Sequence, residues 1–182
     1  MHDSTPAAAQ IKQQIKQEMV AAIPRLRAFA VSLSGNRDRA DDLVQETLAK
    51  ALLNIDSFSV GTNLLAWLFT ILRNAYYSEF RKRRREVADI DGSLSGALVS
   101  KANQDDHMEM LDFRRALQQL PPDQREALIL IGASGLSYEE AADICKCAVG
   151  TMKSRVSRAR SRLSELLEPA PSEPPPAVAA SR

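Results

Sequence analysis

Apolar residues recur along most of this chain at the three- and four-residue steps of an α-helix, and sustained two-residue alternation is almost absent. The pattern predicts an all-α fold. A helix is expected from about Gln10 to Ala22, with a second start permitted by Pro24 and leading to Leu33, and Gly35 suits a C-terminal cap. Asp38 is placed to cap the next helix, where Leu43, Val44, Thr47, Leu48, Ala51, Leu52 and Ile55 form a core-facing stripe. Turn formers then crowd the stretch DSFSVGTN. Thr62 or Asn63 can cap a third long helix through Leu64, Leu68, Ile71, Leu72 and Ala75 into FRKRRRE.

Periodicity lapses over residues 87–107, and a second helical set follows. One helix is expected over Met108 to Gln119. Pro121 and Pro122 break it and start REALILIGA, with Pro122 at the first helical position. After Gly132 and Gly135 comes a short helix, SYEEAADI, with Ser137 and Glu140 at capping-box spacing. A turn at CKCAVG leads into the last helix. The organisation is therefore two small helical domains, 10–86 and 108–168, joined by a flexible acidic linker at 87–107. Residues 1–9 and the proline-rich stretch 169–182 are expected to be disordered.

The last helix carries the first functional signal. Met152, Val156, Ala159 and Leu163 share one narrow arc, extended by Leu166 and Leu167. Ser154, Ser157 and Ser161 occupy the opposite arc. Thr151, Arg155, Arg158 and Arg162 flank them on one side, with Lys153 and Arg160 on the other. A solvated charged face is the bland account of such a surface. Only Glu165 interleaves with the five cations, however, so the face is not laced with ion pairs, and phosphate is the obvious counter-charge. With SYEEAADI and the intervening turn it has the dimensions of a helix-turn-helix. Ala141 and Ala142 are small where two such helices must approach.

Charge sharpens the picture by its distribution. The 182 residues carry a net charge of only +1. Yet Arg73–Glu86 holds six cations against Glu79 and Glu86, and Val149–Leu167 holds five against Glu165, a net of +4 in each. Between them, Asp89, Asp91, Asp105, Asp106, Glu109 and Asp112 face only Lys101. The first basic patch ends a helix bearing Trp67, Tyr76, Tyr77 and Phe80. The aromatics suit a core and the cations suit a helix C-terminus, but together they also suit single-stranded nucleic acid, which stacks on rings and pairs its phosphates with cations.

Several classes fall away. No apolar run of 18 residues is present to span a membrane, and the N-terminus lacks a signal-peptide layout. Cys145 and Cys147 make no disulfide framework and fit a reducing cytoplasm, and His2 and His107 are too remote to complete a zinc site. No metal or cofactor is expected. An enzyme is not expected either, since no Ser/His/Asp set, metal cluster or phosphate-cradling glycine loop is visible.

Three stretches in order, DDLVQETLAKA, GTNLLAWLFTILRNAYYSEFRKRRRE and LPPDQREALILIGASGLSYEEAADICKCAVGTMKSRVSRARSRL, resemble the extracytoplasmic-function sigma factors of bacterial RNA polymerase. Within that family the chain looks most like the group that runs the general stress response in alphaproteobacteria, over about residues 18 to 167. The resemblance implies a sigma region 2, a sigma region 4 and a linker that threads the polymerase, directing core enzyme to stress promoters. It implies that Asp41, Asp42, Leu43, Gln45 and Glu46 meet the clamp helices of the β′ subunit. The loop Asp56 to Asn63, with Phe58 and Asn63, and the helix through Arg73, Asn74, Tyr77, Arg81 and Arg84 would face the melted −10 element. Region 4 would read a GGAA-like −35 element through Thr151, Lys153, Ser154, Arg155, Ser157, Arg158 and Arg162, while its other face meets the β flap. A small helical anti-sigma protein of the NepR type is the implied antagonist, drawn off by a phosphorylated sigma mimic. Lys146 departs from the family pattern, where glycine is commoner.

Two alternatives compete. A transcriptional regulator using only the helix-turn-helix would need a sensor domain, and the N-terminal half lacks strand–helix alternation. A sigma-mimicking antagonist would pair its sigma-like part with a receiver domain, for which this chain has no room, and would have little reason to keep both basic patches.

Overall fold

A single 29-residue helix, α1 (Pro6–Ser34), stands where two were expected. The computed structural model describes residues 6–88 and 108–168, so the expectations for residues 1–5, for linker positions 89–107 and for the proline-rich stretch lie outside the described residues, whereas residues 6–9, expected to be disordered, open α1, and Val87 and Ala88, expected in the linker, end the third long helix. Pro24 sits inside α1 without ending it. Proline deletes one backbone donor and leaves the carbonyl four residues earlier without its helical partner. Here Pro24 and Val20 both lie on the exposed side, where water can serve that carbonyl. The apolar stripe Ile15, Met19, Ala22, Leu26, Phe29, Ala30 and Leu33 is buried across the proline, and tertiary packing overrides the local break.

Gly35 closes α1 as expected, at φ +67° with its N–H donating to the Val31 carbonyl at 2.8 Å. Helix α2 spans Arg37–Leu53 and is capped by Asn36, whose Oδ1 accepts from the Arg39 N–H at 2.9 Å. Asp38, expected as the cap, instead lies in the first turn, where its charge suits the helix dipole. Of the α2 stripe, Leu43, Val44, Thr47 and Ala51 are buried, whereas Leu52 is exposed. A 3-10 turn at Ile55–Ser57 leads to α3 (Leu64–Ala88), which Asn63 caps by accepting from the N–H groups of Leu65 and Ala66. Phe29 and Phe69 meet edge to face at 4.9 Å, and the Tyr76 hydroxyl donates to the Leu33 carbonyl at 2.9 Å, fixing α3 against α1.

The second unit comprises α4 (Met108–Gln119), α5 (Pro122–Leu128), α6 (Tyr138–Cys145) and α7 (Val149–Leu167). The stretch expected as one helix, REALILIGA, changes gauge: α5 passes into a π-helical turn at Ile129–Ala133. Four successive apolar residues, Leu128 to Ile131, cannot share one face of a 3.6-residue helix. The wider turn divides them. Leu130 enters the main core, while Leu128 packs on a smaller cluster of Leu117, Leu120 and Ala159.

The main core does not stop at the boundary between the units. It runs from Leu26, Phe29 and Leu72 to Leu130, Ile144, Met152 and Val156 without interruption. Contacts of α1 with α5, and of α3 with α6, join the two halves.

The turn between α6 and α7 is held by backbone bonds from the Lys146 N–H to Asp143 and the Cys147 N–H to Ala142. Lys146 adopts the left-handed conformation, φ 54° and ψ 49°, which favours glycine. Lys146→Gly should therefore raise stability by about 1 kcal/mol, relief of the left-handed strain being partly offset by a freer unfolded chain. Urea denaturation at equal m-value checks this, and a loss of stability would contradict it.

Candidate nucleic-acid interface

The reading helix of the helix-turn-helix is presented by a short, firmly capped α6. Ser137 accepts from the Glu140 N–H at 3.1 Å, and the Glu140 carboxylate accepts from the Ser137 N–H at 2.8 Å, completing the expected capping box. Ala141 and Ala142 are buried where α6 crosses α7. Met152, Val156 and Ala159 anchor α7 from below. Thr151, Lys153, Ser154, Ser157, Arg158 and Arg162 are all exposed on it. Arg158 lies along its own helix, donating to the Ser154 carbonyl at 3.2 Å and hydroxyl at 3.1 Å. Arg155 differs. Its Nε meets the Asp123 carboxylate at 3.1 Å, and its side chain is mostly buried, so it ties α7 to α5 rather than standing clear of the surface.

In the N-terminal unit the candidate residues divide into two groups. Between α2 and α3 lies a cavity of about 450 Å³ lined by Lys50, Asn54, Ser57, Trp67, Ile71, Asn74, Ala75 and Ser78. Its floor is braced by Phe58 against Trp67, ring centroids 5.4 Å apart. Of the expected residues Asn74 lines this groove and Phe58 supports it. Lys50, Asn54 and Ser57 were not singled out from the sequence, where they are ordinary polar positions at a helix end. Only the fold brings them opposite Asn74. Arg81 is exposed, with its guanidinium donating to Ser78 at 3.1 Å, and the side chain of Arg84 lies outside the described residues.

The second group, Arg73, Tyr77 and Asn63, is engaged by the other unit. Arg73 Nε donates to Glu126 Oε1 at 2.6 Å, and Glu126 is only 1% exposed. The Tyr77 hydroxyl donates to Glu126 Oε2 at 3.4 Å, and the Arg73 guanidinium lies 4.7 Å from the Tyr77 ring centroid. Asn63 Nδ2 donates to Glu140 Oε1 at 2.6 Å.

The electrostatics follow this seam. Burial alone would lower the Arg73 pKa, but the hydrogen bond and charge of Glu126 outweigh it, so the guanidinium is held above its usual value. Burial, reinforced by the Glu126 charge, pushes the Tyr77 phenol up to about 12. The Ser137 backbone bond and then Asn63 lower the Glu140 pKa.

On α2, Asp42, Gln45 and Glu46 are exposed, Asp41 accepts from Arg27 at 2.6 Å, and Glu46 pairs with Lys50 at 2.5 Å. Leu43 is 1% exposed, which removes its side chain from the expected binding surface and gives it to the core. Among the described residues no three His, Cys, Asp or Glu side chains group so as to hold a metal ion, and no helix is long and apolar enough to cross a membrane.

Comparison with known proteins places this geometry. Residues 19–86 match the family model for sigma-70 region 2, and residues 110–163 match that for sigma-70 region 4. Over 157 residues, 86% of this chain and 87% of the relative, the sequence is 65% identical to the ECF RNA polymerase sigma factor EcfG of Rhodopseudomonas palustris. The chain belongs to the ECF RNA polymerase sigma factors. It is thus a non-enzymatic transcription initiation factor, an alternative sigma subunit, as its three ordered motifs imply. Solved relatives agree. The sigma factor RpoE of Bartonella quintana, solved with the anti-sigma factor NepR, is 58% identical with a TM-score of 0.76, covering 85% of this chain and 97% of that one. CnrH, solved with the cytosolic domain of CnrY, is 26% identical with a TM-score of 0.61, covering 85% and 88%. Sigma region 2 corresponds to the α1–α3 unit, and region 4 to α4–α7.

The two cysteines of region 4 differ sharply. Burial, with the nearby Glu126 carboxylate, pushes the Cys145 thiol up to about 12, whereas Cys147 is half-buried in the α6–α7 turn. Iodoacetamide at pH 8 should therefore label Cys147 at least about tenfold faster than Cys145 in the folded chain. Peptide mapping by mass spectrometry checks this, and equal labelling of the two would contradict the burial.

Proposed function

We propose that this sigma factor directs core RNA polymerase to stress-response promoters, reading the −35 element with α7 and holding the melted −10 strand on α3. The observation that carries the reading is the exposed α7 face of Thr151, Lys153, Ser154, Ser157, Arg158 and Arg162, held on a capped helix-turn-helix whose opposite face is core. Its N-terminal turns enter the major groove, Arg158 meets a base of a GGAA-like sequence, and Lys153 meets phosphate. Arg155, tied to Asp123, contributes at the rim of that surface. A −10 base leaves the stack and enters the groove lined by Trp67, Lys50, Asn54 and Asn74, and Arg73, Tyr77, Arg81 and Arg84 follow the strand. Phe58 and Asn63 shape the loop beside it.

Core polymerase is engaged through α2. Asp41, Asp42, Gln45 and Glu46 form a polar surface for the β′ clamp helices, and buried Leu43 supports it from beneath. Region 4 meets the β flap on the side away from DNA. The Bartonella quintana relative was solved with the anti-sigma factor NepR, which supports an anti-sigma antagonist acting on this chain.

In vitro transcription with core polymerase on a stress promoter tests the whole reading. Asp42→Arg, a change at an exposed position of α2, should cut core binding and transcription together by about tenfold or more while thermal melting stays unchanged. Undiminished capture of β′ by this variant would remove α2 from the interface. Arg158→Ala should cost about 1–3 kcal/mol and relax preference at one −35 position, while Lys153→Ala should weaken all sequences alike and flatten the salt dependence. Identical binding profiles for the two variants would defeat that division of labour.

A further inference from the structure

The groove assigned above to a −10 base has one wall made by the end of α2 and the 3-10 turn after it, through Lys50, Asn54 and Ser57. Local bonds give this wall its shape. Asn54 Nδ2 donates to the Lys50 carbonyl at 2.8 Å, and the Ser57 N–H and hydroxyl both donate to the Asn54 carbonyl, at 2.9 Å and 2.7 Å. Such bonds tie a turn to itself and leave its position against the rest of the domain to other contacts. A three-residue 3-10 turn is a weak anchor, since its hydrogen bonds are poorly aligned. None of its three residues is buried.

The turn is held from outside on two sides. Ile55 and Phe58 lean on the main core, with the Phe58 ring against Trp67 of the α3 wall. On the other side the N-terminal part of α1 reaches it, where Lys12 Nζ meets Asp56 Oδ1 at 2.7 Å. Asp56 is the middle residue of the turn, directly before Ser57. Lys12 is carried there on an anchored arm. Ile15 and Met19, about one and two turns further along the same helix, are 7% and 2% exposed and belong to the core cluster on which Ile55 and Phe58 pack. Lys12 and Ile15 both precede residue 19, where the match to region 2 begins, so this brace lies outside the matched stretch.

We propose that Lys12 is a positioning residue for −10 recognition: through Asp56 it sets where the 3-10 turn stands, and hence how Asn54 and Ser57 face Trp67 across the groove. The consequence for DNA rests on the groove being the −10 site, whereas the brace itself does not. Lys12 does not line the groove and acts at one remove. Both members of the pair are exposed, so it adds little to the stability of the whole chain and acts on the turn. A brace of this kind is sensitive to salt, because charges in water are screened within about 3 Å at about 1 M ionic strength.

Trp67 is the single tryptophan of the chain and lines the groove, so its emission reports on the turn opposite without any label. Acrylamide, a neutral quencher, should reach Trp67 more readily in Lys12→Ala than in the wild type, and about 1 M salt should bring the wild type up to the variant. Lys12→Arg should behave as wild type. The charge swap Lys12→Glu with Asp56→Lys should recover most of what Lys12→Glu alone loses. The functional arm uses holoenzyme assembled with core polymerase on a promoter carrying 2-aminopurine in the −10 strand. There Lys12→Ala should weaken strand capture about threefold, within the reach of an exposed ion pair, while core capture and −35 binding stay at wild-type levels. Equal quenching in the wild type and Lys12→Ala would overturn the brace. Altered quenching with unchanged strand capture would overturn its role in recognition. Weaker capture with unaltered quenching would make Lys12 a direct phosphate contact instead. Asn74→Ala, at an exposed position lining the groove, separates the two readings: undiminished capture there removes the groove from −10 binding and this inference with it, whereas a loss there and none in Lys12→Ala removes the brace alone.

Discussion

A carboxylate that is 1% exposed, facing a guanidinium from a helix fifty-three positions earlier, is the constraint on which the arrangement of this chain turns. Removing an ion from water costs several kcal/mol, and in a protein interior that cost is met only by close pairing and additional hydrogen bonds. Glu126 has the guanidinium of Arg73 and the hydroxyl of Tyr77. Neither Arg73 nor Tyr77 belongs to its own region. Glu126 at its present depth thus requires α3 to be where it is, and the continuous apolar core from Phe29 through Leu130 to Val156 requires the same. Charge and packing demand one docking geometry.

That geometry treats the two basic surfaces differently. On α7 the cations lie on the face opposite the buried stripe, and apart from Arg155 they remain exposed. On α3 the cations are distributed along the axis. Arg73 falls within the seam, while Arg81 lies beyond it, exposed on the terminal turns. The net charges of the two segments are equal in the sequence, yet the fold leaves one surface open and sets part of the other against a carboxylate. Composition alone cannot make that distinction, because it depends on which residues lie opposite each other after docking.

Legibility in the sequence follows the range of the interactions. Ser137 with Glu140, Asn63 before α3, Pro122 at the start of α5 and Gly35 after α1 were readable because each acts within four residues of itself. The failures are also physical. Pro24 reads as a break, but a buried stripe on one face and solvent on the other carry α1 through it. Asp38 is an acceptable cap by type, and Asn36 prevails because the chain leaves the left-handed Gly35 directly into extended backbone there. The run Leu128–Ile131 was legible as apolar but not as a π-turn, since the choice is made by two clusters on opposite sides. Leu43 was included in a binding motif by position in the sequence, while its depth is set by packing. The groove of Lys50, Asn54, Trp67 and Asn74, and the seam at Glu126, were invisible because their members meet only in the folded chain.

The seam sets polar groups beside an apolar floor, since Arg73, Tyr77 and Glu126 meet at the edge of the continuous core. Had Arg73, Tyr77 and Glu126 been replaced by well-packed apolar groups, the seam would lose no desolvation penalty on closing and would hold more tightly. With ions at the seam, the region 2 side contributes the Arg73 cation and the region 4 side the carboxylates of Glu126 and Glu140, so charge as well as shape selects the pairing of the two faces. The desolvation cost that makes a buried ion pair a weak cement leaves the adhesion to the apolar core beneath, while the pair fixes which surfaces meet.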